Sequence, residues 1–155
     1  MSSDLRTELR QGRPFASREE EAYLSIVRTA AVLTDAFEQL LRPYGISGTQ
    51  YNVLRILRGA GSEGLCRNEV RDRLLTRMPD VTRLLDRMEE AGLVTRERSS
   101  EDRRMVTTRL TAEGRRIVDQ LDDVVREEHD RLLGHVDAKR LAALVETLAA
   151  VRAPH

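Results

Sequence analysis

The chain contains no tryptophan, two phenylalanines and three tyrosines, so aromatic packing contributes little to its interior. Leucine, valine and alanine supply the apolar volume instead, which suits packed helices better than a β-sandwich. A single cysteine, Cys66, excludes an internal disulfide and a thiolate-rich zinc site. Neither sign of charge is in excess: 26 basic residues face 26 acidic ones. That balance removes the global basic signal of a nonspecific nucleic-acid coat. Lysine is nearly missing too, because 25 of the cations are arginine and only Lys139 differs. Arginine offers a planar fork that grips phosphate or guanine edges bidentately, although GC-rich coding accounts for most of such a bias. Long apolar runs are absent. The N-terminus, MSSDLRTELRQGRPF, carries charges where a signal peptide needs an apolar core, and no stretch approaches membrane-spanning length. A cytoplasmic protein without a membrane partner is expected. No nucleophile–base–carboxylate set, phosphate-cradling glycine loop or pair of catalytic acids stands out, so neither an enzyme nor a cofactor is expected.

What is present is an order of parts. At 155 residues the chain fits one compact domain, or one domain with an oligomerisation arm. Residues 1–17 are polar and interrupted by Gly12 and Pro14, which predicts a flexible arm. Ser17 with Glu20 forms a capping-box pattern, and a stripe from Tyr23 through Ile26, Val27, Ala30, Leu33, Phe37, Leu40 and Leu41 predicts a long helix ended by Pro43 and Gly45. Ser47 with Gln50 opens a second helix marked by Val53, Leu54 and Leu57. Leu65 and Val70 are spaced as a hydrophobic staple around a short third helix with Cys66 at its cap. The next helix is expected to begin between Thr76 and Pro79, since a proline is tolerated in the first turn. Val81, Leu84, Leu85 and Met88 mark its inner side, and Gly92 its end. Alternating residues at 93–98 and 105–110 predict two strands around a polar turn, Ser99 to Arg104. Thr111 and Asp137 cap two further helices.

A short helix, a turn, an amphipathic helix and an arginine-rich hairpin together make a winged helix-turn-helix. The fold expected is mainly α with a small two-stranded β-wing. A helix of this kind enters the major groove of duplex DNA while a charged turn reaches the minor groove beside it. Charge placement agrees weakly: residues 64–109 carry 11 basic and 9 acidic groups, residues 111–155 carry 7 and 9. Stepping 100° per residue, the polar side of the helix presents Pro79, Thr82, Arg83 and Asp86, flanked by Arg87 and preceded by Asp80. Arg83 can take guanine O6 and N7 bidentately. Arg103 and Arg104 suit the negative potential of a narrow minor groove. Arg67, Arg71, Arg73 and Arg77 surround the turn and are expected to clamp phosphates, with intrahelical pairing, such as Glu69 with Arg73, as the alternative.

Three apolar stripes, on the first helix and on the last two, lie outside this reader. The simplest cover for them is another copy of the chain. Residues 18–44 and 112–155 are therefore read as a dimerisation layer around a winged helix at 45–111. Cys66 sits where a helix N-terminus lowers a thiol pKa, but an inert thiol explains it more simply. His129 and His135 fall on different sides of one helix, so a shared metal needs ligands from elsewhere, and Glu128 is expected at the helix surface.

In this combination the chain resembles the MarR family of bacterial transcriptional regulators, from about Tyr23 to Val151. The segments carrying the resemblance are Val81-Thr82-Arg83-Leu84-Leu85-Asp86-Arg87-Met88, Gly92-Leu93-Val94, and Asp102-Arg103-Arg104 followed by Leu110-Thr111-Ala112-Glu113-Gly114. Ser99 and Ser100 stand where the family's wing commonly has Asp-Pro. The resemblance implies a homodimer on a pseudo-palindromic operator, with Thr82 and Arg83 in the major groove and Arg104 in the minor groove, positioned by Asp102. It also implies release of double-stranded DNA by a small aromatic or anionic effector bound between reader and dimer layer. Phe37, Tyr44 and Tyr51 are the aromatic residues near that junction, and Arg55 is the nearest cation. Two rivals stay open: a metal- or redox-responsive regulator of the same fold, and a winged-helix module for protein contact.

Overall fold

The computed structural model describes residues 4–154, in the order α1 (Leu5–Glu8), α2 (Arg18–Leu41), α3 (Gly48–Ala60), β1 (Leu65–Cys66), α4 (Arg67–Arg73), α5 (Val81–Glu90), β2 (Val94–Arg98), β3 (Val106–Leu110), α6 (Ala112–Leu133) and α7 (Ala138–Arg152). The helix starts follow local chemistry. Ser17 Oγ accepts from the Glu20 amide at 3.1 Å, and Ser47 and Gln50 form the full reciprocal box at 3.1 and 3.0 Å. Thr111 and Asp137 cap α6 and α7 by accepting from the Gly114 and Arg140 amides. Cys66 holds the cap position of α4, where the Glu69 carboxylate accepts the Cys66 amide at 2.8 Å.

Three boundaries depart from expectation. The arm read as flexible contains one helical turn, α1, capped by Asp4, and Glu8 lies 3.8 Å from Arg28 of α2. The helix α5 starts at Val81 rather than at Thr76–Pro79, because Asp80 takes the cap and accepts from the Arg83 amide at 2.9 Å. Pro79 thus precedes the helix instead of occupying its first turn. The hairpin also gains a third strand. Leu65 pairs with Thr108 and Cys66 with Thr107, giving an antiparallel sheet of order β1-β3-β2. Gly64 permits this approach: it has φ +70°, and a Cβ there would stand 2.4 Å from the Thr108 carbonyl oxygen.

One core unites the end of α2 with α3, α4, α5, the sheet and α6. Leu41, Leu54, Leu57, Leu85, Met88 and Leu121 are fully buried in it. From α6 it takes Ile117, Val118, Leu121 and Val125. The apolar stripe of α6 is therefore covered within the chain over its first half, and only two of the three stripes read as uncovered remain so. Those are on α2, where Tyr23, Ile26 and Val27 are exposed, and on α7, where Leu144, Val145 and Val151 are exposed and no residue is buried. A guanidinium fixes α6 to the reader. Arg58 of α3 reaches both carboxylate oxygens of Asp122 and one of Asp119, each at 2.8 Å. The bonds to Asp122 and Asp119 hold Arg58 above its usual pKa, and the bond from Arg58 holds Asp122 below its own. Among the described residues no helix is long and apolar enough to cross a membrane.

Candidate DNA-binding surface

The helix α5 turns its apolar side inward through Val81, Leu84, Leu85 and Met88, all buried. That leaves Thr82, Arg83 and Arg87 exposed on the outer side. The hairpin lies beside it, with strands in register from Val94–Leu110 to Arg98–Val106. Its tip closes by hydrogen bonds from the Ser99 amide to the Met105 carbonyl and from the Met105 amide to the Asp102 carbonyl, at 2.8 and 2.9 Å. Ser99 Oγ accepts from the amides of Glu101 and Asp102 at 3.2 and 3.3 Å. A serine thus organises the turn where the resemblance would place an Asp-Pro pair. Asp102 accepts from the Arg104 amide at 2.9 Å, which fixes the backbone from which Arg104 projects.

Arg83, Arg87, Arg103 and Arg104 are exposed, and among the described residues their side chains make no intrachain hydrogen bond or ion pair. Between α5 and the wing lies a recess of about 290 Å³ bordered by Arg67, Thr82, Arg96 and Arg104. Arg67 donates to Thr82 Oγ1 at 3.1 Å, so these two expected contacts form a unit that joins α4 to α5. Arg71 and Arg77 flank the turn between the two helices around a second recess of about 540 Å³. Arg71 is paired with Asp72 at 3.0 Å, an exposed contact that a phosphate can displace. The turn is held from outside by Asn52, whose Oδ1 accepts the Leu75 amide at 2.9 Å.

Two of the residues assigned to the DNA-facing side have work inside the protein. Asp80 is the helix cap. Asp86 faces sideways to Arg96 of β2, which bridges Asp86 at 2.5 Å and Glu89 at 3.0 Å. The Arg96 amide also donates to Glu89, at 2.9 Å. Burial works against the Arg96 charge, but the hydrogen bonds to Glu89 and Asp86 outweigh it and raise its pKa. Nothing local in the sequence marks Arg96, since its partners are seven and ten residues away.

Around the junction with α2, Phe37 meets Tyr51 edge-on at 5.5 Å between ring centroids and stacks against His129 at 6.2 Å. Tyr51 is buried, and burial raises its pKa against the opposing influence of Arg55. Tyr44 is half-buried and Arg55 exposed. His129 belongs to this cluster although spacing along the chain gave no hint of it. Glu128, expected at the surface, is buried to 8% exposure and paired with Arg131 at 2.5 Å, the bond from which lowers its pKa.

A helix-turn-helix with a three-stranded wing, arginines free at both reading elements and an apolar layer behind them, defines a winged-helix DNA-binding protein. The model of the MarR family matches residues 44–105. A MarR transcription factor from Planctomyces limnophilus is 38% identical, with a TM-score of 0.69 over 88% of this chain and 99% of that one. The HTH-type transcriptional regulator FarR of Neisseria gonorrhoeae is 26% identical over 136 residues, 88% of this chain and 92% of that protein. A mutant MarR from Escherichia coli, solved with operator DNA, is 26% identical with a TM-score of 0.75, covering 97% of this chain and 100% of that one. The chain belongs to the MarR family and is a DNA-binding transcriptional regulator.

Proposed function

We propose that the chain acts as a homodimeric repressor of a pseudo-palindromic operator and is released from it by a small aromatic or anionic effector. The observation that carries this reading is the set of unpaired, exposed arginines on two elements of different reach. Arg83 and Arg87 lie on a helix of major-groove dimensions, and Arg103 and Arg104 lie at a hairpin tip. Arg67, Arg71 and Arg77 flank them as phosphate contacts that set register without reading sequence. The exposed stripes of α2 and α7 favour a second copy as their cover. Two-fold symmetry then requires half-sites roughly 10 base pairs apart. Phe37, Tyr44, Tyr51 and Arg55 supply apolar faces and a cation for the effector.

Selection of duplexes from a random pool by the purified protein, followed by mobility shifts and light scattering, tests this reading. Expected are a two-fold-related consensus, a complex containing two chains, and affinity that falls steeply with salt. A folded monomer at micromolar concentration, or selected duplexes bound no better than random ones, refutes it.

A further inference from the structure

We infer that Arg96 is a positioning residue for DNA reading: it latches the wing to the recognition helix and sets where Arg104 meets the minor groove. The inference rests on the proposed role of Arg104. Arg96 leaves the middle of β2, opposite Thr108 of β3, at the root of the hairpin. Its Nη2 lies between Asp86 and Glu89, two carboxylates one helical turn apart on α5, and its backbone amide donates to the same Glu89. The side chain is 20% exposed, and its Nε is buried without a partner. A buried donor left unsatisfied costs free energy, so this arginine is held in place by its two carboxylates rather than by solvation. It also borders the recess between α5 and the wing, with Arg104 on the same rim.

The latch has an electrostatic oddity. Asp86 and Glu89 place two negative charges on the very helix that approaches a polyanion. For DNA affinity alone both are unfavourable, and removing them should strengthen binding to every sequence. Positioning makes the opposite demand on flank reading. Without the carboxylates the polar tie between β2 and α5 is gone, and the hairpin root keeps the β-ladder, the core packing of Leu93 and Val94, and the bonds of Thr111 to the Gly92 and Leu93 carbonyls. The wing tip then samples more directions and its arginines lose their fixed offset from α5.

The test uses full-length protein and duplexes selected by the wild type, with flanks that are either A·T-rich or G·C-rich. Affinities are measured for wild type, Arg104→Ala, Arg96→Ala and the double variant Asp86→Ala/Glu89→Ala. Wild type is expected to favour A·T-rich flanks by about tenfold, in line with the cost of a poor base step. Arg104→Ala should abolish that preference. Arg96→Ala and the double variant should each reduce it to about twofold or less while keeping the preference for the selected core. Circular dichroism melting confirms that each variant is folded. If the double variant binds all duplexes more tightly with its flank preference intact, the carboxylates act by charge alone and the latch is refuted. A preference lost in Arg104→Ala but kept in Arg96→Ala also overturns the latch, leaving the Arg104 reading in place. A wild type indifferent to flanks overturns both.

Discussion

Replacing Gly114 by alanine should destabilise the protein although it puts a better helix former into a helix. Gly114 lies in the first turn of α6, directly beneath the turn that feeds β2. A Cβ at that position would stand 2.1 Å from the Leu93 carbonyl oxygen and 3.3 Å from Leu110 Cδ2. The obstacle is backbone, and that same oxygen accepts the Thr111 amide at 3.1 Å. To reach the 3.4 Å of ordinary contact, the two segments must part by about 1.3 Å, a displacement in the overpacking range of roughly 1–3 kcal/mol. Helix propensity returns at most about 1 kcal/mol. The net loss then reaches about 2 kcal/mol, or up to roughly 8 °C in Tm for a domain of this size. Because Leu93 leads straight into β2, operator affinity should fall in parallel. Calorimetry at fixed protein concentration, with a mobility shift on the selected duplex, measures both. A Tm above that of wild type would show that α6 slides freely past Leu93 and would refute the argument.

Other outcomes follow from the surface and the junction. Arg83→Ala should relax base preference in the operator core, whereas Arg71→Ala should weaken all duplexes about equally and lower the salt slope by about one; equal effects of the two on specific and random DNA would contradict that division. Arg58→Met should lower the urea midpoint at neutral pH. Asp122 has a depressed pKa in the folded state, so the stabilisation is fully present above its unfolded value of 3.8 and is lost as pH falls through the lower folded value. The deficit of the variant should therefore persist down to about pH 4 and close below it, and a deficit independent of pH would rule out the ion pair as its source. Arg55→Ala should abolish release by an identified anionic effector while leaving ligand-free operator affinity unchanged, and normal release in the variant would place the effector elsewhere.

Legibility from sequence depended on the range of the interaction. Caps at Ser17, Ser47, Thr111 and Asp137 were readable because each closes over three residues. The pattern of α5 was readable because Val81, Leu84, Leu85 and Met88 repeat within one short helix. Its start was misplaced because Pro79 and Asp80 both suit helix N-termini, and only the hydrogen bond to the Arg83 amide decides between them. Asp86 fell on the outer face by angular bookkeeping, yet Arg96 draws it sideways, a contact that no helical wheel contains. Two residues are too few to announce a strand, so β1 became visible only as the partner of β3. The first half of α6 looked uncovered because its stripe is continuous, while burial against α3 divides it.

That division gives α6 mechanical meaning. It is a single rod of 22 residues whose near end is cemented into the reader by Val118, Leu121 and the Arg58 clamp. At 1.5 Å per residue the rod is about 33 Å long, so a tilt of 10° about one end sweeps the other through about 6 Å. One base-pair step along a duplex is about 3.4 Å. Were α6 to pivot about its far end under the proposed effector control, a rotation smaller than many domain motions would shift the reader by more than one base-pair step.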